Sequence, residues 1–99
     1  MDTSGRAILE KFMKSNPGIW FSRAELSAHV RERSRRKNAA SVSTLIDVCT
    51  ANNAKRPWPR SKWGTRTYSD YGYNILYRRG GDDAYRLYDP ISDEPPIVP

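Results

Sequence analysis

Hydrophobic residues recur at helical spacing through the first half of the chain. Between residues 3 and 15 they form one stripe, which consists of Ile8, Leu9, Phe12 and Met13. A polar residue among positions 2–4 can cap the start of this helix, and residues 16–18 (NPG) end it. The pattern therefore predicts a first amphipathic helix over residues 3–15.

A short apolar run at residues 19–21 predicts a brief strand or an extended link, with Trp20 and Phe21 in the core. Ser22 and Glu25 follow with the S-x-x-E spacing of a capping box, in which each side chain accepts a hydrogen bond from a backbone N–H at the start of a helix. They predict the start of a second helix. Its inward positions are expected to be Ala24, Leu26, Ala28 and Val30.

A third helix is expected to start from a cap between residues 38 and 41. Its apolar positions recur at i, i+3, i+4 and i+7, and they are Val42, Leu45, Ile46 and Cys49. Its outward side is small and polar, and it consists of Ser43, Thr44, Asp47 and Thr50. Such a surface can approach another molecule closely.

The last third of the chain changes from helical to strand-like patterning. Residues 73–88 hold two runs of strand formers on either side of the turn cluster 79–83 (RGGDD), which predicts a β-hairpin. The alternation lets Leu76 share one face with Tyr85 and Leu87, although it does not fix the register.

The length of 99 residues fits one small domain, which we place at residues 1–89. The composition then changes to acids and prolines. Residues 90–99 are therefore predicted to form a linker or tail, docked on the domain at most by Ile91 and Ile97.

One cysteine and one histidine exclude several kinds of chemistry. Cys49 cannot form an internal disulfide, which fits a reducing compartment. His29 and Cys49 cannot build a zinc site of the His/Cys kind, and neither paired carboxylates nor a Ser/His/Asp arrangement is evident. No apolar run reaches the roughly 20 residues of a membrane span, and the start has no signal-peptide core. We expect a cytoplasmic protein that is not an enzyme and binds no metal or cofactor.

Three segments of the chain also resemble a known family. The segments IWFSRAEL, NAASVSTLIDVCTANN and AYRLYDPISDEPP are similar to the small N-terminal winged-helix modules of bacterial restriction and other defence-associated proteins. The resemblance implies an α+β fold with three helices and a C-terminal β-hairpin wing. It also implies a targeting module that binds duplex DNA and is joined to a larger protein by the C-terminal linker. The basic stretch between Asn53 and Tyr73 differs from the compact pattern of that family, as an inserted loop.

The charge distribution favours a nucleic-acid partner as well. The formal net charge is +6 and the sequence pI is about 9.8. Residues 31–66 hold ten Lys or Arg and two acids, whereas residues 82–99 hold one Arg and five acids. The positive pole therefore coincides with the predicted third helix. Clustered cations neutralise phosphates and give affinity without sequence information.

We predict four groups of DNA-contacting residues. Contacts to the sugar-phosphate backbone before the third helix are Arg31, Arg33, Arg35, Arg36 and Lys37. Contacts of the third helix in the major groove are Asn38, Ser41, Ser43, Thr44 and Asp47. The inserted loop offers cations to phosphate and rings that can stack on a base, through Lys55, Arg56, Trp58, Arg60, Lys62, Trp63 and Arg66. The wing offers Arg78 and Arg79 to a minor groove.

Each group has a structural alternative, and for the third helix it is the exposed polar face of an ordinary helix. The basic run 31–37 fits a solvated helix end, and Trp58 or Trp63 fits a lid on the core. The wing arginines fit a solvated hairpin tip, where Asp82 and Asp83 would repel phosphate. A second class of function is a protein-interaction or dimerisation module with an aromatic contact surface. A homodimer and a monomer are both compatible with the sequence.

Overall fold

The computed structural model describes residues 4–35, 37–54 and 73–97. Its elements are α1 (Gly5–Ser15), β1 (Phe21–Ser22), α2 (Arg23–Arg33), α3 (Ala39–Cys49), β2 (Leu76–Arg79) and β3 (Ala84–Leu87). The three strands form one antiparallel sheet in the order β1-β3-β2. The predicted α+β class, with three helices followed by a β-hairpin, is confirmed. The inserted basic loop lies outside the described residues.

Side-chain caps set the points where the helices begin. Ser4 caps α1 and Asn38 caps α3, each by accepting hydrogen bonds from backbone N–H groups of the first turn. The predicted capping box starts α2: Ser22 Oγ accepts from Glu25 N at 3.1 Å, and Glu25 Oε1 accepts from Ser22 N at 3.0 Å. Local sequence therefore fixes the start of every helix.

The core lies between the three helices and the inner face of the sheet. The apolar stripe predicted for α3 is buried along its whole length. Among the described residues, Tyr85 on the central strand β3 is the largest fully buried side chain. The buried cluster consists of Leu9, Met13, Leu26, Val30, Val42, Leu45, Ile46, Cys49, Ile75, Leu76 and Tyr85.

The hairpin register places Leu76 opposite Leu87 and Arg78 opposite Tyr85. Because opposite residues of an antiparallel pair lie on the same face, the predicted shared face of Leu76, Tyr85 and Leu87 is confirmed. The turn contains Gly81 with a φ of +97°, a backbone conformation that glycine adopts without steric cost.

The outer edge of β2 is covered by the chain that follows α3. Ala51 N donates to Leu76 O at 2.8 Å. The side-chain amide of Asn52 both accepts from Arg78 N and donates to Arg78 O, each at 2.8 Å. Asn52 thus takes the place of a residue on a neighbouring strand. It satisfies two backbone groups of the β2 edge that could otherwise pair with another chain.

Several predicted positions are wrong. Ala24 and Ala28 are exposed because α2 turns only a narrow face to the core. Thr50 was predicted to face outward, but it is 1 % exposed, and its hydroxyl donates to Ile46 O at 2.7 Å. Trp20 lies outside the core cluster and is only partly buried, because alternation along β1 points it to the outer face of the sheet.

Polar contacts hold the segment after β3 on the domain. Arg86 donates to both carboxylate oxygens of Asp93, at 2.7 Å and 2.6 Å, and the Asp93 side chain is only 6 % exposed. Ile97 N donates to Ala51 O at 2.7 Å. The predicted docking by Ile91 is wrong, since that side chain is 94 % exposed. An ion pair and backbone bonds, which hydrophobicity does not reveal, fix this segment instead.

Candidate nucleic-acid interface

Three exposed basic side chains lie at the end of α2 and in the connection to α3, and we call Arg31, Arg35 and Lys37 the connection cluster. Arg31 Nε donates to Lys37 O at 3.2 Å, and Lys37 Nζ donates to Arg31 O at 2.6 Å. These reciprocal bonds tie the end of α2 to the start of α3. No carboxylate in the described part of the chain pairs with the cluster, whereas neighbouring Arg33 pairs with Glu32 at 3.2 Å.

The outward face of α3 begins directly after the connection cluster. Ala40, Thr44 and Asp47 follow one another along this face at the i, i+4 and i+7 spacing. Ala40 and Thr44 are exposed, and the Asp47 side chain is 39 % exposed. Thr44 Oγ1 donates to Ala40 O at 3.1 Å, which leaves its oxygen as an acceptor. This face has only small side chains, as predicted for a surface that can approach another molecule.

Arg23, the first residue of α2, joins α3 to the sheet. Its guanidinium donates to Ser43 Oγ at 2.7 Å, to Asp47 Oδ1 at 2.5 Å and to the Tyr85 hydroxyl at 2.8 Å. Burial lowers the pKa of Arg23, but the hydrogen bond to Asp47 and the neighbouring Tyr85 oxygen more than offset this and raise the pKa above its usual value. Arg23 is therefore a charged link between α2, α3 and β3.

Two predicted groove contacts, Ser43 and Asp47, take part in this link. Ser43 Oγ is occupied by Arg23, and Asp47 uses one of its two carboxylate oxygens for the same partner. Burial raises the pKa of the Tyr85 hydroxyl, so the third partner of Arg23 is a neutral phenol. The contact of Ser43 and Asp47 with DNA stays a prediction.

The arginines of the wing are both paired with acids of the turn. Arg78 Nη2 lies 2.9 Å from Asp83 Oδ1, and Arg79 Nη2 lies 2.7 Å from Asp82 Oδ2. The hydrogen bond from Arg79 lowers the pKa of Asp82, so that carboxylate is charged at neutral pH. The turn acids therefore neutralise the wing arginines, and the contact of these arginines with a minor groove stays a prediction.

A row of side chains crosses the outer face of the sheet, and we call Trp20, Arg86 and Tyr77 the sheet row. The guanidinium carbon of Arg86 lies 5.2 Å from the Trp20 ring centroid and 4.5 Å from that of Tyr77. The guanidinium carbon of Arg79 lies over the same Trp20 ring, 4.7 Å from its centroid. The antiparallel register sets Tyr77 opposite Arg86, and this register could not be read from the sequence. Sequence reasoning therefore missed the sheet row.

Two of the four predicted groups are neighbours along the described chain: Arg31, Arg33, Arg35 and Lys37 precede α3, and the polar face of α3 follows them. The predicted contacts that lie outside the described residues are Arg36, Lys55, Arg56, Trp58, Arg60, Lys62, Trp63 and Arg66. Sequence reasoning also missed Arg23. Its position just after the capping Ser22 gives only a weak indication that it links the elements. The reason is that its partner Tyr85 lies 62 residues away along the chain.

The described residues show little other site chemistry. His29 stacks on Phe12 with ring centroids 3.8 Å apart, and burial together with the charge of Arg33 lowers its pKa. Cys49 is a buried thiol that forms no disulfide, as predicted. Over the same residues, no group of three His, Cys, Asp or Glu could hold a metal ion. None of the helices described is long and apolar enough to cross a bilayer.

Compared with protein-family models, with curated proteins and with solved structures, the chain matches none. No relative therefore supplies a function by similarity. The chemistry of the surface itself is the guide to what it binds.

Proposed function

We propose that this domain binds double-stranded DNA, with α3 in the major groove and the connection cluster on the adjacent sugar-phosphate backbone. The element order, with a hairpin after α3 and β3 central in the sheet, is compatible with a winged helix. In a helix-turn-helix the second helix of the pair enters the groove, and the first crosses the backbone. In this chain those helices are α3 and α2.

The observation that carries the proposal is the contrast between paired and unpaired cations. Arg23, Arg79 and Arg86 each form an ion pair with an aspartate. The connection cluster has no carboxylate partner among the described residues, and it is exposed. Cations of this kind are available to neutralise phosphates and release counterions.

The shape of α3 supports the same proposal. A helix of 11 residues is about 16 Å long, and the major groove is about 12 Å wide. Ala40 and Thr44 expose methyl groups that can contact thymine, and the Thr44 oxygen can accept from a base amino group. Phosphate contacts from the cluster at the start of α3 would fix the register of the helix on the duplex.

The wing contributes less to binding in this proposal, because Asp82 and Asp83 cancel the charge of its arginines. The inserted basic loop keeps its predicted role on phosphate. The role as a targeting module of a restriction or defence protein stays a prediction, since it rests on the sequence resemblance alone.

Fluorescence anisotropy tests the proposal with a mixed-sequence duplex of roughly 20 base pairs, titrated at about 50 mM and about 200 mM salt. We expect affinity at low salt that falls steeply as salt rises. The double variant Arg35→Gln/Lys37→Gln should lower the affinity roughly tenfold and make the slope of log K against log salt shallower by about 2, because two phosphate contacts are lost.

A matched control removes the same charge from another helix. Lys11→Gln/Lys14→Gln changes two exposed lysines of α1, of which Lys14 pairs with Glu10 at 3.8 Å, and should leave both affinity and slope nearly unchanged. Equal losses in the two double variants would show that net charge, and not the connection cluster, drives binding. Absence of duplex binding at low salt would refute the proposal.

The second candidate function is a protein-interaction or dimerisation module. The observation that favours it is the partly exposed sheet row, with Ile19 beside it 49 % exposed. Sedimentation of the protein, with Trp20→Ala as the variant, separates this function from DNA binding. Self-association or partner binding that is lost with Trp20 but not with Arg35 would support it.

A further inference from the structure

We infer that Asp47 selects an amino-bearing base in the major groove, and that Arg23 is the residue that positions it for this task. The amino groups exposed in that groove are N4 of cytosine and N6 of adenine. The inference rests on the proposed DNA binding through α3, and it adds the kind of base edge that the helix reads.

A contact from Arg23, which is itself held by Ser43 and Tyr85, fixes the Asp47 carboxylate in place. Arg23 donates to Asp47 Oδ1 at 2.5 Å, and the same guanidinium is anchored by Ser43 Oγ at 2.7 Å and by the Tyr85 hydroxyl at 2.8 Å. A guanidinium presents its donors in a rigid planar fork. Asp47 therefore loses little conformational freedom when it meets a ligand, which favours a directional contact.

The second carboxylate oxygen remains available to a ligand. The Asp47 side chain is 39 % exposed, and within the described ranges Arg23 alone donates to its carboxylate. An ionised carboxylate has about four lone-pair positions, so one bond from Arg23 leaves acceptor capacity at Oδ2.

The position of Asp47 suits a contact with base edges. It lies on the outward line of α3 after Ala40 and Thr44, which are small enough to let the helix come close to the groove floor. This line is about 10 Å long, which corresponds to about three base pairs. Asp47 would read the base at one end of that short stretch.

The chemistry of a carboxylate restricts which base it can accept. It only accepts hydrogen bonds, so it pairs with the amino groups of cytosine or adenine and is repelled by O6 and N7 of guanine and by O4 of thymine. It is also repelled by phosphate. Because Arg23 compensates its charge, the pair adds no net negative charge to the face of α3. Asp47 therefore affects discrimination at one position more than it affects overall affinity.

Selection from a random duplex library, followed by titration of the enriched duplex and its single-position variants, tests the inference. The unmodified chain should enrich one position in cytosine or adenine on the contacted strand. Asp47→Asn keeps an oxygen for Arg23 but puts a donor in place of Oδ2, so the preference at that position should fall about tenfold. Asp47→Ala is measured beside it, because an amide also recognises adenine.

Asp82→Asn is the matched control, since it removes the same charge from another aspartate that is paired with an arginine. It should leave the preference unchanged. Arg23→Lys keeps the charge but loses the planar fork, and it should weaken the preference at the same position about threefold with an unchanged salt slope. A merely structural role of Arg23 would lower the melting temperature and leave the preference intact.

The outcomes separate this inference from the proposed function. Duplex binding without an enriched amino-bearing base, or a preference that survives both Asp47 variants, overturns the inference and leaves the proposed DNA binding in place. Absence of duplex binding at low salt overturns the proposed function, and the inference is overturned with it.

Discussion

The connection cluster and the sheet row use basic side chains in opposite ways. In the sheet row, Arg86 lies between two aromatic rings and donates to both oxygens of Asp93, and its side chain is only 22 % exposed. In the connection cluster, all three side chains are exposed and pair with no carboxylate among the described residues. In the first region the charge of Arg86 is compensated within the fold, whereas in the second region the charges are exposed and have no carboxylate partner among the described residues.

This difference shows that net charge alone does not locate an interface. The wing also carries two arginines, Arg78 and Arg79, but Asp82 and Asp83 neutralise them. Surface arginines become candidates for phosphate binding only when the fold does not already supply their counter-charge. The comparison can be tested by breaking the Arg86–Asp93 ion pair of the sheet row and by removing the counter-charges of the wing arginines.

The largest expected effect comes from Asp93→Ala. Arg86 would keep its charge in a mostly buried place without its carboxylate, and Asp89 N would lose its acceptor as well. We expect the free energy of unfolding to fall by about 2 kcal/mol, which urea denaturation followed by circular dichroism would measure. The hydrogen bond from Arg86 also lowers the pKa of Asp93. Its stabilising contribution should therefore be present above the usual carboxyl pKa and be lost as pH falls through the lowered value.

Arg35→Ala is the control in the other region. Because Arg35 has no ion-pair partner among the described residues, its removal should change the free energy of unfolding by less than about 0.5 kcal/mol. Comparable destabilisation by the two variants would contradict the distinction between the regions.

A smaller effect is expected from freeing the wing arginines. Asp82→Asn/Asp83→Asn removes the counter-charges of Arg78 and Arg79, so the wing should come to resemble the connection cluster. Duplex affinity at low salt should rise several-fold, with a salt slope steeper by up to about 2. Anisotropy titrations against salt would measure both.

A control with the same change of charge is Glu10→Gln/Glu94→Gln, which lies outside the wing and removes the counter-charge of Arg6 and Lys14 on α1. It should raise duplex affinity less than the wing variant does, and it should leave the slope of log K against log salt almost unchanged. If both double variants act alike, the pairing at the wing does not matter for binding.

The features predicted correctly from the sequence depend on neighbours along the chain. The capping box of Ser22 and Glu25 and the apolar stripe of α3 are local patterns, and both formed as expected. The hairpin followed from two runs of strand formers around a glycine turn. In each case the residues that decide the structure lie within a few positions of one another.

The features that were missed depend on residues far apart. Trp20 lies outside the core because the sheet register places it beside Arg86, and nothing local indicates that register. The polar face of α3 was identified, but its partner Arg23 precedes Asp47 by 24 residues. The sequence therefore located the candidate interface without showing which of its side chains the fold already occupies.

The smallest effect concerns His29 on α2, close to the basic end of that helix. It packs on Phe12, and burial and then the charge of Arg33 lower its pKa below the usual 6.5. The unfolded chain therefore takes up this proton first as pH falls. The stability that depends on neutral His29 should be complete above about pH 6.5 and should decrease below it, towards the lowered pKa.

NMR titration of the single histidine measures the pKa of His29 directly. Arg33→Gln should raise the pKa of His29, because one of the two causes of its lowering is removed. Arg79→Gln removes the same charge from the wing, where Asp82 already cancels it, and should leave the pKa of His29 unchanged. Equal shifts in the two variants would mean that the histidine senses the total charge of the chain. A shift with Arg33→Gln alone would mean that it senses the local field of α2, in the region where we place the DNA backbone.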